Sequence, residues 1–159
     1  MRTTAVVAIL LAALPPAALA MDDHIAIQPN ALKWGPPPPG LPPGAHVAVV
    51  AGDPSKDGPY VVRARLPSGY KILPHTHPTD ENVTVLSGTF HIAMGDKFDI
   101  KKGETVRAGG FFTAQKGMQH YGWSTGPTLI QIHGMGPFAI TYVNPADDPR
   151  NNTKTSAKK

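Results

Sequence analysis

Within the 159 residues, the cluster whose residue types and spacing could do chemistry is His75-Thr76-His77 followed by Glu81. In an extended strand successive side chains alternate faces, so residues two apart project the same way with α-carbons roughly 6–7 Å apart. Two imidazoles can then converge on one metal ion. Glu81 stands an even number of residues beyond His77 and can return to that face even if Pro78 breaks the ladder. Pro74 and Pro78 flank the pair where a central strand would lose hydrogen-bond donors, which places the histidines at a barrel rim or a bulge. By itself His-x-His also describes two surface histidines or two histidines satisfied within a core.

The pair sits inside a longer pattern. Gly69, His75, His77, Glu81 and Gly88, at their spacing, resemble the first characteristic motif of the cupin superfamily. Gly109, Gln115, Gly117, His120 and Ser124 resemble the second, with Gln115 where that family usually has proline and Ser124 where it often has asparagine. Neither departure falls on a ligand position. The resemblance spans about residues 45–144 and implies that His75, His77, Glu81 and His120 hold one divalent transition metal. Three imidazoles and one carboxylate suit iron, manganese, zinc, nickel or copper and poorly suit calcium or magnesium, which prefer oxygen shells. An octahedral ion held this way keeps two open positions, whereas a tetrahedral one keeps none. With one carboxylate the ion retains a formal charge of +1 in an apolar barrel, which favours a small anionic ligand. Acid should release the metal, because free imidazoles protonate near pH 6.5.

The elements that must position these residues are short runs rich in Val, Ile, Thr, Phe and Tyr, separated by Gly, Pro, Asp and Asn. They cover 46–51, 60–66, 70–73, 82–86, 89–94, 104–107, 111–115, 120–124, 128–133 and 138–143. No stretch beyond the first twenty residues sustains a 3.6-residue period. Strands at this spacing point to a sandwich or small antiparallel barrel, and the resemblance specifies an all-β, cupin-like double-stranded β-helix, or jelly roll. Hairpin turns are expected at Ser87-Gly88, Gly95-Asp96 and Ala108-Gly109-Gly110. Residues 21–44 carry Pro36 to Pro39 and Pro42-Pro43 and read as an extended arm, with Trp34 as an anchor onto the body or a partner subunit.

Further residues have two readings each. Gln131 and His133 share a strand face and either line the cavity or meet solvent, while His91 should point outward from between Phe90 and Ile92. Tyr121 and Trp123 lie on the face opposite His120 and serve core packing or a subunit interface. Phe90, Met94, Phe111 and Phe112 are candidate pocket walls. Arg63 and Arg65 could anchor a carboxylate or form an exposed edge. His24 and His46 are read as incidental.

Arg2, the apolar run from Ala5 to Leu14 and Ala18-Leu19-Ala20 have the pattern of a secretory signal peptide cut after Ala20. The remaining 139 residues, with a formal net charge of +3, fit one domain, residues 45–144. No cysteine is present, so no disulfide can form in the secreted or periplasmic location this leader implies. Residues 145–159 read as a basic, disordered tail with Arg150, Lys154, Lys158 and Lys159. The other basic residues are dispersed and no recognition helix is visible, which argues against nucleic acid. No nucleophile elbow, phosphate loop or dinucleotide fingerprint occurs. Asn82-Val83-Thr84 and Asn151-Asn152-Thr153 are formal glycosylation sequons.

Cupin resemblance fixes a reaction only loosely. The expectation is a metal-dependent, oxygenase-type enzyme acting on a small anionic organic substrate, with no separate acid or base identifiable. Its rivals are a non-catalytic metal or small-ligand binder or sensor, and a metal-dependent sugar isomerase or epimerase. A homodimer is expected from the resemblance.

Overall fold

The computed structural model describes residues 25–152; the leader at 1–20, His24 and residues 153–159 lie outside the described residues. Ten strands form two five-stranded antiparallel sheets. They are β1 (His46–Ala51), β2 (Gly58–Leu66), β3 (Lys71–Thr76), β4 (Glu81–Ser87), β5 (Thr89–Met94), β6 (Glu104–Arg107), β7 (Phe111–Ala114), β8 (His120–Ser124), β9 (Thr128–Gly136) and β10 (Thr141–Tyr142). One sheet runs β1-β2-β9-β4-β7 and the other β10-β3-β8-β5-β6. From β2 onward the chain changes sheet at nearly every connection, which is the jelly-roll path expected from the sequence.

Alternation within the strands puts one face of each sheet into a shared core. Tyr60, Val62, Ala64 and Leu66 from β2 meet Val83 and Val85 from β4, Phe90 and Ile92 from β5, and Ile130 and Ile132 from β9. Gly122 on β8 lets Phe90 approach, since a Cβ there would lie 2.4 Å from the ring. The opposite face of β8 is also buried. Tyr121 and Trp123 pack with Ala93 and Phe98 under the long β5–β6 excursion, and Tyr121 Oη donates to Asp99 O at 3.0 Å. These aromatics therefore serve packing within the chain.

Two of the three expected hairpins are corners instead. Ser87-Gly88 carries the chain from β4 to β5, and 108–110 from β6 to β7, each time between sheets; β5 and β6 do pair, but across the excursion at 95–103. Glycine's positive φ marks a sharp reversal at Gly88 and Gly109 without saying which sheet takes the next strand.

The proline-rich segment docks on its own barrel. Gly35 exchanges two backbone hydrogen bonds with Val47, both 2.9 Å, and the Trp34 ring lies 3.8 Å under the Arg65 guanidinium. Further along, Tyr70 Oη donates to Pro42 O at 2.6 Å and Tyr142 Oη to Gly40 O at 2.9 Å. Residues 145–152 depart from the disorder expected of the tail. They form a 3-10 turn (Pro145–Asp147) and one helical turn (Pro149–Asn152), held by Arg150, which pairs with Asp148 at 2.6 Å and donates to Ile140 O at 3.1 Å.

Candidate metal centre

His75 and His120 face each other across the β3–β8 pair, and Tyr142 of β10 is the opposite neighbour of His75. Simple alternation from Ile72, which lines the cavity, would turn His75 outward. A register shift between Ile72 and His75 adds one residue at Leu73-Pro74 and restores the inward phase, so the expected bulge positions the first of the three histidines. His77 follows β3, and Glu81 opens β4. The corner between them is tied to the turn before β8 by Gly117 N–H to His77 O at 2.9 Å and Lys116 N–H to Asp80 Oδ1 at 2.7 Å. The turn lacking the family's proline is thus held by hydrogen bonds, and Ser124 Oγ donates to Pro67 O at 2.7 Å.

All three imidazoles are buried, and each has Nδ1 against a backbone carbonyl: His75 to Leu73 O at 2.7 Å, His77 to Ala139 O at 2.7 Å and His120 to Met118 O at 2.9 Å. A carbonyl can only accept, so each Nδ1 carries a proton, and in the neutral ring it is Nε2 that offers the lone pair. The ligand atoms of the three rings lie within 4.8 Å of one another. Glu81 Oε2 is 3.6 Å from His77 Nε2 and 3.5 Å from His120 Nε2. Those separations are too long for hydrogen bonds, and the Nε2 atoms of His77 and His120 are buried without a partner.

Burial, then the neighbouring His120 and His77, pushes His75 down to about 3; burial likewise lowers His77. Burial alone would raise Glu81, but its contact with His120 and the nearby rings of His77 and His75 outweigh it and hold the carboxyl below its usual range. The site therefore favours neutral imidazoles at His75 and His77 and an ionised carboxylate at Glu81, the protonation states a metal requires. Unpartnered buried nitrogens, fixed tautomers and a borderline donor set all fit a first-row divalent metal, and the three histidines could hold one.

The centre opens into a cavity of about 90 Å³ between the sheets. Apart from the three histidines, Glu81 and Tyr60, the lining side chains are apolar, with Val62, Ile72, Phe90, Phe112 and Ile132 among them. Pro38 and Leu41 of the arm and Phe138 and Ile140 before β10 also border it.

Other candidates fall elsewhere. Phe111 and Met94 are 56% and 44% exposed and are not pocket walls, whereas Phe90 and Phe112 are. Arg63 donates to Gln131 Oε1 at 3.0 Å outside the cavity, and Arg65 caps Trp34, so neither supplies a carboxylate anchor. His91 stacks outward on Trp123 with ring centroids 5.0 Å apart. His133 lies on the face opposite Ile132, and His46 is exposed. Tyr60 escaped the sequence reading although its two-residue phase with Val62 and Ala64 placed it inside.

Residues 22–139 match the ChrR cupin-like domain family. The chain belongs to that family. None of the curated proteins matches it in sequence. Among solved structures, this cupin resembles the polyketide cyclase RemF from Streptomyces resistomycificus (TM-score 0.64, 18% identity, 82% of this chain and 93% of that one). It also resembles a candidate acetylacetone dioxygenase from Methylibium petroleiphilum (0.61, 15%, 88% and 98%) and KdgF from a Halomonas species (0.54, 19%, 70% and 92%). At these identities the likeness is one of fold, which in cupins hosts several reactions.

Proposed function

We propose that this cupin is an exported, metal-dependent enzyme of the oxygenase type acting on a small organic anion. His75, His77, Glu81 and His120 hold one divalent transition metal in this reading. The observation that carries it is the fixed tautomer of three buried imidazoles whose Nε2 atoms share one pocket with a carboxylate. A divalent metal there would supply Lewis acidity and a coordination position at the polar end of an otherwise apolar cavity. The chain's own residues do the rest. The backbone carbonyls hold the rings, Glu81 offsets part of the ionic charge, and Phe90, Phe112 and the isoleucines exclude water from an organic ligand. With no cationic side chain on the lining, a ligand's negative charge is met by the metal alone.

Sugar isomerisation fits less well, because apolar walls would leave most sugar hydroxyls unpaired. The test is oxygen uptake by iron(II)-loaded protein with a panel of small diketones, catechols and thiols. Uptake coupled to loss of one substrate, and abolished in His77→Ala, supports the enzyme. Full metal occupancy as four-coordinate zinc without exchangeable water, and no uptake across the panel, replaces it with a non-catalytic binder.

A further inference from the structure

Among the described residues, three buried side-chain polar atoms have no hydrogen-bond partner: His77 Nε2, His120 Nε2 and Tyr60 Oη. All three belong to side chains lining the same cavity. A metal accounts for the two nitrogens. It does not account for the phenol.

Tyr60 is 2% exposed, and its ring stands edge-on to Phe138 at 5.9 Å, which in turn packs on His77 at 4.8 Å. Its cross-strand neighbour is Gly134, where a Cβ would lie 3.3 Å from Tyr60 Oη and 2.8 Å from Asp80 O. The glycine thus leaves room for the phenol beside the corner that carries Glu81. A buried hydroxyl left unpaired costs about 1–3 kcal/mol, so packing alone would be better served by phenylalanine. Burial, then the negative charge of Glu81, raises the phenol pKa, and the group remains an O–H donor.

We infer that Tyr60 is a specificity-determining residue whose hydroxyl donates a hydrogen bond to an oxygen of the small ligand held at His75, His77, Glu81 and His120. This rests on the metal-centre reading above. It narrows the ligand to a compact, mostly apolar molecule with at least two oxygen acceptors, such as the enolate of a 1,3-diketone. A ligand reaching the metal through a single nitrogen gains nothing from the phenol.

The test uses the full chain loaded with cobalt(II), whose visible absorption reports its coordination, titrated with acetylacetone and separately with imidazole. Tyr60→Phe should take up one ion with an unchanged spectrum and bind imidazole within about twofold of wild type. It should bind acetylacetone about five- to tenfold more weakly, the loss of one neutral hydrogen bond. The metal-free variant should keep its urea midpoint or gain in it. Unchanged acetylacetone affinity, equal weakening of both probes, or a lowered midpoint in the metal-free variant would overturn the assignment of Tyr60. A wild-type protein that takes up no cobalt overturns the metal reading and this assignment together, whereas normal uptake with unchanged acetylacetone affinity in Tyr60→Phe removes only the latter.

Discussion

The arm is fastened over the cavity by two phenols, and removing both hydroxyls should loosen it by a calculable amount. Tyr70→Phe/Tyr142→Phe keeps both buried rings and deletes the donors to Pro42 O and Gly40 O. Each neutral hydrogen bond contributes about 0.5–1.5 kcal/mol net, so the pair together contributes about 2 kcal/mol, or a factor of about 30 in the arm's opening equilibrium. Gly40 is buried, so its carbonyl is left without water as well as without Tyr142, which keeps the effect from falling to the low end of that range. The assay is native-state hydrogen exchange by NMR at the Gly35 and Val47 amides, each of which donates to the other residue's carbonyl and so holds the arm to β1. Their protection should fall about 30-fold, while amides in the β2–β9 ladder keep theirs to within the global change in stability. Unchanged protection at Gly35, or an equal loss at Gly35 and Ile132, would refute the claim that these phenols hold the arm as a separable unit. Because Pro38 and Leu41 border the cavity, acetylacetone should also reach the metal faster in the double variant.

Other expected outcomes are as follows. His75 is held neutral when folded, down to about pH 3, and protonates near 6.5 when unfolded, so the unfolded chain binds more protons between those values. Stability of the metal-free protein should therefore fall as pH drops from 6.5 toward 3, by up to about 1.4 kcal/mol per pH unit for that residue alone; a flat profile by urea denaturation contradicts it. Glu81→Gln removes a partly buried carboxylate whose nearest ring nitrogens lie 3.5 and 3.6 Å away and whose ionised form the folded site favours, so it should weaken metal retention and lower metal-free stability at neutral pH. Unchanged metal retention would mean that the carboxylate is not a ligand. Gly134→Ala places a Cβ 2.8 Å from Asp80 O and should cost about 1–3 kcal/mol while displacing the corner before Glu81, read as lowered metal affinity beside a lowered thermal midpoint. Trp123→Ala should cost about 3–5 kcal/mol yet leave metal stoichiometry intact, since its ring packs on the far face of β8. Loss of the metal at a temperature where that variant is folded would contradict the two-faced account of β8.

Strand positions were legible because alternation is a local property. The runs read from sequence agree with β1, β5, β6 and β8 end to end and with most of the others to within a few residues. Long-range assignments were less legible. Gly88 and Gly109 announced reversals, but choosing between hairpin and corner depends on which sheet has a free edge, and no local residue encodes that. Phe111 and Phe112 are adjacent, so only one can face inward, and the phase is set by pairing with β4. The tail's composition suggested disorder, yet Arg150 finds Asp148 two residues away and a carbonyl on the barrel. The convergence of His75, His77 and His120 was legible through their residue types and spacing. Its supporting contacts were not, because Leu73, Met118 and Ala139 hold the rings through backbone carbonyls that any side chain would present. Tyr60 lacked a signal of its own, since a tyrosine in phase with core residues reads as filling until its hydroxyl is seen to have no partner.

The central claim is that three imidazoles and one carboxylate share a single ion. Elemental analysis of the protein purified without added chelator, in parallel with His75→Ala, His77→Ala and His120→Ala, tests it most directly. One equivalent of a first-row transition metal per wild-type chain, lost in all three folded variants, is the predicted result. Less than a tenth of an equivalent in wild type after exposure to those metals, or an equal content in wild type and any histidine variant, would contradict it.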